Sequence, residues 1–292
     1  MKLNEIGEDA VVAEITRTLR FDDRVEIGPG DDCAVVRFGA SLQLLKTDCV
    51  IEGIHFLPDT PAHAVGGKAL CRTISDIAAM GGDPLDALVT VALSPDRELA
   101  WLTDLYAGLN QAATKYGVNL VGGETARSPG PIFISVAITG KVDKERLVTR
   151  SSGQIGDRLY VTGKLGGSLQ GKHLSFEPRL AESKWLTQNF RVHAMLDLSD
   201  GLGSDLPRLA KASGTGFEID LSALPKNEGC SEEQALTDGE DYELLFAVSS
   251  DIGPKLEREW REAFPDLPLT CIGCLTGGTA EKAGKKGYDH FA

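Results

Sequence analysis

Residues 61–93, PAHAVGGKALCRTISDIAAMGGDPLDALVTVAL, change from a helical pattern to a strand pattern within one short stretch. Pro61 is suited to the first turn of a helix, and the apolar residues that follow recur at helical spacing over residues 61–80. Gly81-Gly82 marks the end of the helix, and the apolar run 87–93 has the composition of a buried strand. The stretch therefore predicts a helix followed by a strand, the repeating unit of an α/β fold.

The same alternation continues on both sides of this stretch. The predicted helices are 3–20, 97–116, 205–212 and 255–263, and the predicted strands are 34–38, 42–47, 49–51, 119–121, 132–142, 158–162, 217–221, 242–248 and 269–273. Between them, residues 143–157 are polar and contain two glycines, which is typical of a connection between domains. We therefore predict two domains, residues 1–145 and 146–292, each an α/β or α+β sandwich.

The composition excludes some classes of function. The chain has 292 residues, a hydrophobic fraction of 42% and a formal net charge of −13. This charge argues against a nucleic-acid partner, because nucleic-acid binding depends on Lys and Arg that neutralise phosphates. No apolar run is long enough for a membrane span, and the first residues lack the pattern of a signal peptide, so we expect a cytoplasmic protein with no membrane partner.

One cysteine pair has the spacing of a zinc or redox motif. Cys271 and Cys274 are separated by two residues, but no second pair or nearby histidine pair would complete four zinc ligands. We interpret both cysteines as strand residues.

Acidic residues beside Gly, Ser or Thr form six short motifs. We expect these motifs at strand ends or turns, where hard cations such as Mg²⁺ find carboxylate ligands. One such motif is typical of an ordinary turn, and Asp197 also fits a helix cap. Six in one chain favour a shared metal site; they are GPGDD (28–32), TD (47–48), SD (75–76), GGET (122–125), DLSDG (197–201) and GED (239–241).

A different phosphate-binding hypothesis comes from residues 166–172, GGSLQGK, which match a P-loop up to its last position. The next residue is His173, whereas a P-loop has a Ser or Thr hydroxyl there to bind magnesium. The motif is therefore incomplete. Loss of ATP binding in Lys172→Ala, with ATP binding retained in Asp76→Ala, would favour the P-loop hypothesis.

The order of the acidic motifs, with IGPGDDCA (27–34), EGIHF (52–56), SDIAAMG (75–81), GEDYEL (239–244) and GYDHF (287–291), resembles the thiamine-monophosphate kinase family. This family is part of the ATP-using group related to aminoimidazole ribonucleotide synthetase. The resemblance covers nearly the whole chain. It implies a two-domain fold of α/β (α+β) class, with an N-terminal ATP and metal domain whose mixed sheet forms a dimer barrel, and a C-terminal α/β sandwich.

The resemblance also implies a function and a set of site residues. The function is ATP-dependent phosphorylation of thiamine monophosphate to thiamine diphosphate, the last step of thiamine diphosphate biosynthesis, by direct transfer in a homodimer with several Mg²⁺ ions. No residue is assigned a covalent catalytic role. The implied metal ligands are Asp32, Thr47, Asp48, Asp76, Glu124, Asp197 and Asp200; the implied ATP contacts are Tyr106, Gly123, Glu124, Arg150 and Ser199; and the implied substrate contacts are His55, Glu240 and Lys285.

Three of these residues also fit simpler roles. His55 precedes Phe56 and is compatible with a packed core histidine. Arg150 is compatible with a surface residue of the linker, and Tyr106 is compatible with an aromatic residue on the core face of its helix.

The chain departs from the family pattern at several positions. Lys46 stands where a Ser is common and cannot ligate magnesium, so we expect its ammonium to take over part of the charge neutralisation. Glu124 stands where Asp is common. Lys285 replaces an aromatic residue expected to stack on the substrate, which leaves substrate specificity open. The segment 167–195 is also shorter than the corresponding segment in many relatives.

Two other classes of function remain. The first is another ATP-using synthetase of the same superfamily that acts on a different small phosphorylated or amide substrate. The second is an acidic binding or scaffold protein whose carboxylates only keep it solvated.

Overall fold

The computed structural model describes residues 2–278 and 287–288, and these residues form two β-sheets, one in each half of the chain. The elements of the first half are α1 (Leu3–Ile6), α2 (Glu8–Thr16), β1 (Val25–Ile27), β2 (Ala34–Phe38), β3 (Ser41–Ile51), α3 (Ala62–Ala79), β4 (Asp83–Leu93), α4 (Leu99–Tyr116), β5 (Asn119–Arg127) and β6 (Phe133–Val142).

The first sheet has the strand order β1-β2-β3-β6-β4-β5, and its only parallel pair among the described strands is β4 with β5. Side chains alternate between the two faces of a strand. On β3, Leu44 and Val50 therefore lie in the core that α3 and α4 cover, whereas Leu45 and Thr47 lie on the opposite face and are exposed. We call this second face, which also exposes Leu88, the open face of the first sheet.

Two glycines let α3 and α4 pack with their backbones in contact. A Cβ atom added at Gly66 would lie 2.0 Å from the carbonyl oxygen of Leu105, and one added at Gly108 would lie 1.9 Å from that of His63. No side chain fits at such distances. The close crossing keeps α3 almost fully buried along its length.

The second half begins after a linker that contains no helix or strand. Its elements are β7 (Arg158–Thr162), α5 (Leu180–Asn189), β8 (Ala194–Asp197), α6 (Leu202–Ala212), β9 (Gly216–Ile219), α7 (Glu232–Thr237), β10 (Leu244–Val248), α8 (Gly253–Ala263) and β11 (Leu269–Thr276), with short 3₁₀ turns at Ser168–Gln170, Lys172–Leu174 and Leu221–Ala223.

The second sheet is antiparallel, has the order β8-β10-β7-β11-β9, and is covered by helices on both faces. One face packs with α6, for example through Leu245 against Leu206 in one core, and the other packs with α8, through Phe246 and Trp260 in a second core. Every residue of β10 is consequently buried. This arrangement is the mixed α/β sandwich expected for the second half.

The end of α3 joins the two halves. The hydroxyl of Ser183 on α5 donates to the carbonyl oxygen of Ala78 over 2.5 Å, and Arg146 of the linker donates to the carbonyl oxygen of Gly81 over 2.7 Å. Gly81 has φ of +73°, a left-handed conformation that glycine adopts without strain. The carboxyl end of α3 therefore lies between the first sheet and the second half.

Several predicted elements differ from the observed ones. The helix predicted for 3–20 is interrupted at Gly7, where φ is +75°, and α2 ends at Thr16. The runs 42–47 and 49–51 form one strand, β3, and the run 119–121 extends to Arg127. Among the described residues, no helix is both long enough and apolar enough to cross a membrane.

Three acidic motifs that we expected at strand ends or turns have their carboxylates inside regular elements. Asp48 lies within β3, Asp76 within α3, which agrees with the helix predicted for 61–80, and Glu124 within β5. Backbone hydrogen bonds of regular elements, rather than turn geometry, hold these carboxylates in place.

Candidate active site between the two halves

A cavity of about 700 Å³ opens between the two halves of the chain. Its walls come from α2, β3, α3, the linker, the loop after β8 and α6. The side chains that matter most for its chemistry are Lys46, Asp48, Arg72, Asp76, Arg150 and Asp197. The cavity therefore places cations and carboxylates from distant parts of the sequence in one space.

Three buried carboxylates meet beside this cavity, and two of them, Asp76 and Asp197, line it. Asp32 precedes β2, Asp76 lies on the buried helix α3, and Asp197 is the last residue of β8. One carboxylate oxygen from each lies within 4.8 Å of the others, and all three residues are less than 9% exposed. We call them the carboxylate triad. Such a set of hard oxygen atoms is the ligand chemistry that magnesium prefers.

The raised pKa values of two triad carboxylates indicate that the chain alone supplies too little positive charge to offset their burial. Burial, followed by the neighbouring charge of Asp32, raises the pKa of Asp197 to about 6. Burial also raises the pKa of Asp76 well above its usual value. Among the described residues, the Oδ2 atom of Asp32 is buried and has no hydrogen-bond partner. A divalent cation would supply both the missing charge and a partner for this oxygen, so the residues present fit magnesium.

Two cations already contact the triad. The Nζ atom of Lys46 lies 2.6 Å from Oδ1 of Asp76, and the guanidinium of Arg150 is paired with Oδ1 of Asp32. The side chain of Arg150 is only 22% exposed and is paired with Asp32, so it is not the surface linker residue that its position in the sequence allows. Its backbone N–H also donates to the carboxylate of Asp31.

Helix α3 carries a charged stripe on one side. Lys68, Arg72 and Asp76 are spaced four residues apart, which places them on one face of a helix. Arg72 donates from Nε to Oδ2 of Asp48 over 2.8 Å. Its Nη1 atom is buried, lies 3.8 Å from Oε1 of Glu240 and has no hydrogen-bond partner among the described residues. A guanidinium nitrogen with an unused hydrogen-bond donor at the wall of a cavity is suited to bind an anion.

The first member of the stripe holds a second network together. Lys68 is fully buried and donates from Nζ to Oε2 of Glu240 and to the carbonyl oxygen of His55, each over 2.6 Å. His173 also contacts Oε2 of Glu240, at 2.9 Å. Burial opposes charge on Glu240, but the hydrogen bond from His173 and the charge of Lys68 outweigh it and lower its pKa to about 2. For Lys68 burial prevails and lowers the pKa to about 8.

The loop that carries Glu240 has an uncommon backbone. Glu240 and Tyr242 have φ of +53° and +51°, a region that residues other than glycine rarely adopt. The Tyr242 ring stacks on Phe176 with 3.9 Å between centroids, and the Glu240 N–H donates to the carbonyl oxygen of Ser199 over 2.6 Å. Strain of this kind, held by surrounding contacts, is often found at functional sites.

The remaining predicted residues divide into three groups. Ser199 and Asp200 line the cavity, and Asp200 is paired with Arg208. The side chain of Thr47 lies on the open face, opposite to Asp48, and contacts Ser135. The third group also lies away from the cavity. Gly123 and Glu124 lie on edge strand β5, and Tyr106 packs against the core from α4.

The tail of the chain returns to this region. Gly287 donates to Oγ of Ser204, and the N–H of Tyr288 donates to the carbonyl oxygen of Asp200, each over 2.9 Å. Two residues of the tail motif therefore lie beside Asp200. Lys285, one of the expected substrate contacts, lies outside the described residues, as do positions 289–291 of the motif.

His55 has the contacts of a packed histidine. It is 7% exposed, and its Nδ1 accepts the N–H of Ile51 over 3.1 Å. Its backbone carbonyl joins the Lys68 network, so His55 is connected to Glu240 through Lys68.

The P-loop hypothesis is wrong. The N–H groups of Gln170 and Gly171, which would point at the phosphate in a P-loop, donate to the carbonyl oxygens of Gly167 and Ser168. Lys172 contacts Glu243 and the carbonyl oxygen of Lys164, and residues 168–174 form two 3₁₀ turns rather than the start of an α-helix.

The sequence analysis missed Lys68, Arg72 and His173. A signal existed for the first two, because a helix that is otherwise apolar places Lys and Arg four residues apart on the side of Asp76. No sequence pattern connects His173 to Glu240, since the contact joins a 3₁₀ turn to a distant loop.

Comparison with known proteins places this architecture in a family. Residues 30–142 match the family model "AIR synthase related protein, N-terminal domain", and residues 162–264 match the corresponding C-terminal domain. The chain is therefore an AIR synthase-related protein with both characteristic domains.

Individual relatives narrow the family further. The thiamine-monophosphate kinase of Rhodopirellula baltica is 36% identical over 93% of this chain and 90% of its own length, and that of Escherichia coli K12 is 36% identical over 98% of both. The solved structure of AaThiL complexed with AMPPCP and TMP superposes with a TM-score of 0.86, at 32% identity and over 99% of both chains. Within the AIR synthase-related proteins, the chain belongs to the thiamine-monophosphate kinase family.

Proposed function

We propose that the chain transfers the γ-phosphoryl group of ATP to thiamine monophosphate in the cavity between its two halves. An oxygen of the acceptor phosphate forms a bond to the γ-phosphorus, and the bond from that phosphorus to the β,γ-bridging oxygen breaks, which gives thiamine diphosphate and ADP. The carboxylate triad beside Arg72 and Lys46 is the observation that carries the proposal, because phosphoryl transfer depends on positioning and charge neutralisation.

The chain's carboxylates provide a place for magnesium. Asp32, Asp76 and Asp197 are the proposed first ligands, with Asp48 and Asp200 on the same cavity wall. Thr47 and Glu124 remain proposed ligands on the open face. Magnesium held by the triad would supply positive charge that neutralises the phosphates of the nucleotide and the acceptor.

The cationic side chains have a separate role. Arg72 presents a buried Nη1 atom that has no hydrogen-bond partner among the described residues, and it can donate to a phosphate oxygen in the cavity. Arg150 forms an ion pair with Asp32 and remains a proposed nucleotide contact. Ser199, Gly123 and Tyr106 are the other proposed nucleotide contacts.

The substrate pocket is proposed next to the Lys68 network. Glu240 is ionised over the whole neutral range, since its pKa is about 2, and its carboxylate can face the cationic thiazolium ring of the substrate. His55 and Lys285 are the other proposed contacts. In the division into residues 1–145 and 146–292, the first part then carries most of the proposed metal ligands, and the second adds Asp197 and Asp200 and completes both pockets.

A homodimer is part of the proposal. The open face exposes Leu45, Leu88 and Val121 by 41%, 50% and 60%, and edge strand β5 ends this sheet. Contact between two such faces would bury these side chains and form the expected barrel. Light scattering during gel filtration at two concentrations tests the mass, and Leu88→Glu should give monomers. We also propose a cytoplasmic location, where ATP is available.

The central experiment measures product formation. Purified protein with magnesium and ATP should give ADP and thiamine diphosphate in equal amounts, and only when thiamine monophosphate is present. Asp76→Asn should lower turnover at least about 100-fold, because it removes a triad carboxylate. Asp143→Asn, an exposed change of the same type, should not. ADP formation that does not need thiamine monophosphate would instead favour another ATP-using synthetase.

A further inference from the structure

Lys46 points into the centre of the carboxylate triad because of the pleat of β3. Residues 44, 46, 48 and 50 lie on the face of the sheet that α3 covers. Leu44 and Val50 are core residues, so Lys46 and Asp48 are the two charged side chains between them. The ammonium of Lys46 lies 2.6 Å from Oδ1 of Asp76 on α3.

The carboxylates of the triad differ in the cations that they contact. Asp32 is paired with Arg150, and Asp76 is paired with Lys46. Among the described residues, the side chain of Asp197 accepts a hydrogen bond only from the neutral hydroxyl of Ser75. Two of the three carboxylates therefore already have a fixed cation from the chain itself.

An ammonium and a metal ion compete for the same oxygen. One lone pair of Oδ1 of Asp76 already accepts from Lys46, and the ammonium repels any divalent ion that approaches the same carboxylate. The side chain of Asp76 is only 9% exposed, so water screens this repulsion poorly.

We propose that Lys46 is a built-in cation that replaces one divalent ion at Asp76, so that this chain binds one ion fewer than it would with a small neutral residue at position 46. The inference rests on the proposed magnesium site. It predicts a site in which one positive charge is always present and does not depend on the magnesium concentration. The two remaining protons of the ammonium are available to the phosphates that enter the cavity, since Lys46 lines it.

The test counts bound ions directly, without turnover. Mn²⁺ is titrated into the protein with a non-hydrolysable ATP analogue, and bound and free Mn²⁺ are separated by electron paramagnetic resonance. Wild type should bind a whole number of ions, and Lys46→Ser should bind one more per chain. If the added ion binds too weakly to be counted at saturation, the weakest Mn²⁺ site of Lys46→Ser should still bind at least about tenfold more tightly than the weakest site of wild type.

Two control variants separate charge from general disturbance. Lys46→Arg keeps the positive charge and should keep the wild-type number of ions. Lys211→Ser removes one positive charge from the exposed wall of the same cavity and should also keep that number. Lys46→Gln serves as a second neutral variant if Lys46→Ser does not fold.

The outcomes are distinct. If wild type binds no Mn²⁺ even with the nucleotide analogue, the proposed metal site fails and this inference fails with it. If wild type binds Mn²⁺ but both neutral variants bind the same number with the same affinity, only the role of Lys46 is overturned. An equal gain in Lys211→Ser would also overturn it, because the effect would then be one of overall charge.

Discussion

The hydroxyl of Ser75 donates to Oδ2 of Asp197 over 2.5 Å, a contact between the buried helix α3 and the last residue of β8. The two residues are 122 positions apart in the sequence. Since Asp76 follows Ser75 directly, the same turn of helix supplies one triad carboxylate and fixes another. The contact thus joins the two halves of the chain at the proposed metal site.

We expect Ser75→Ala to weaken magnesium binding. The hydrogen bond from Ser75 holds down the pKa of Asp197, which burial and Asp32 already raise to about 6. Without the hydroxyl the pKa rises further, and more of the carboxyl is protonated at pH 7. The magnesium concentration at half-maximal rate should increase about three- to tenfold, and the increase should shrink as the pH is raised to 8.

The control is Ser183→Ala, which removes another buried hydroxyl that donates to α3 but lies outside the cavity lining. It should cost stability without altering the magnesium requirement. Equal magnesium curves for wild type and Ser75→Ala would contradict the role given to the Ser75 hydroxyl.

We expect Lys68→Met to destabilise the protein. Lys68 has no exposed side-chain surface, and its removal leaves the carboxylate of Glu240, which is 16% exposed, without its closest cation. Breaking a buried ion pair from one side costs about 3 to 5 kcal/mol. Burial lowers the pKa of Lys68, so removing its charge offsets part of this cost at pH 7, and we expect a net loss of about 1 to 2 kcal/mol. The loss should appear as a lower free energy of unfolding in urea at pH 7.

The double variant Lys68→Met with Glu240→Gln tests whether the cost comes from the unpaired charge. It should recover a large part of the stability, because neither member of the pair is then charged and buried. If the double variant is as unstable as the sum of the single variants, packing of the lysine stem rather than its charge explains the loss.

The pH dependence of stability should contain a contribution from Lys68. Burial lowers its pKa from 10.5 to about 8 in the folded state. Between pH 8 and 10.5 the unfolded chain holds a proton that the folded chain has released, so stability rises with pH. Relative to Lys68→Met, the free energy of unfolding of wild type should increase by about 3 kcal/mol across this window. Parallel curves for the two proteins from pH 7 to 10 would show that the lysine keeps its ordinary pKa.

Much of the fold could be predicted because its main elements have local patterns. The helices near 61–80 and 97–116 and the strand 158–162 agree with α3, α4 and β7. The elements that no pattern predicted are β1, β8, α5 and α7. β8 has only four residues, all buried, so it shows no alternation, and α5 lacks a regular apolar stripe.

The candidate site was harder to predict than the fold. The acidic motifs named the three members of the triad, but Asp32, Asp76 and Asp197 come from separate elements and no sequence spacing predicts their distance. Helical spacing could have identified Lys68 and Arg72 beside Asp76. The turn interpretation failed for Asp48 and Glu124 because glycine and threonine neighbours also occur inside twisted strands.

Two adjacent glycines of α3 should respond in opposite ways to the same substitution. A Cβ atom at Gly66 would lie 2.0 Å from the carbonyl oxygen of Leu105 on α4, whereas at Gly67 nothing lies within 4 Å. Gly66→Ala must push the two helices apart and should cost about 3 kcal/mol or more of stability. Gly67→Ala meets no obstacle and should stabilise the helix by about 0.5 to 1 kcal/mol.

Both variants change one hydrogen to one methyl group in the same helix, so each is the control for the other. Urea unfolding at pH 7 gives the two free energies. Because α3 carries Lys68, Arg72 and Asp76, displacement of the helix in Gly66→Ala should also lower the rate of phosphoryl transfer in protein that remains folded, while Gly67→Ala should keep it. Similar stability of the two variants would mean that α3 and α4 do not cross with their backbones in contact.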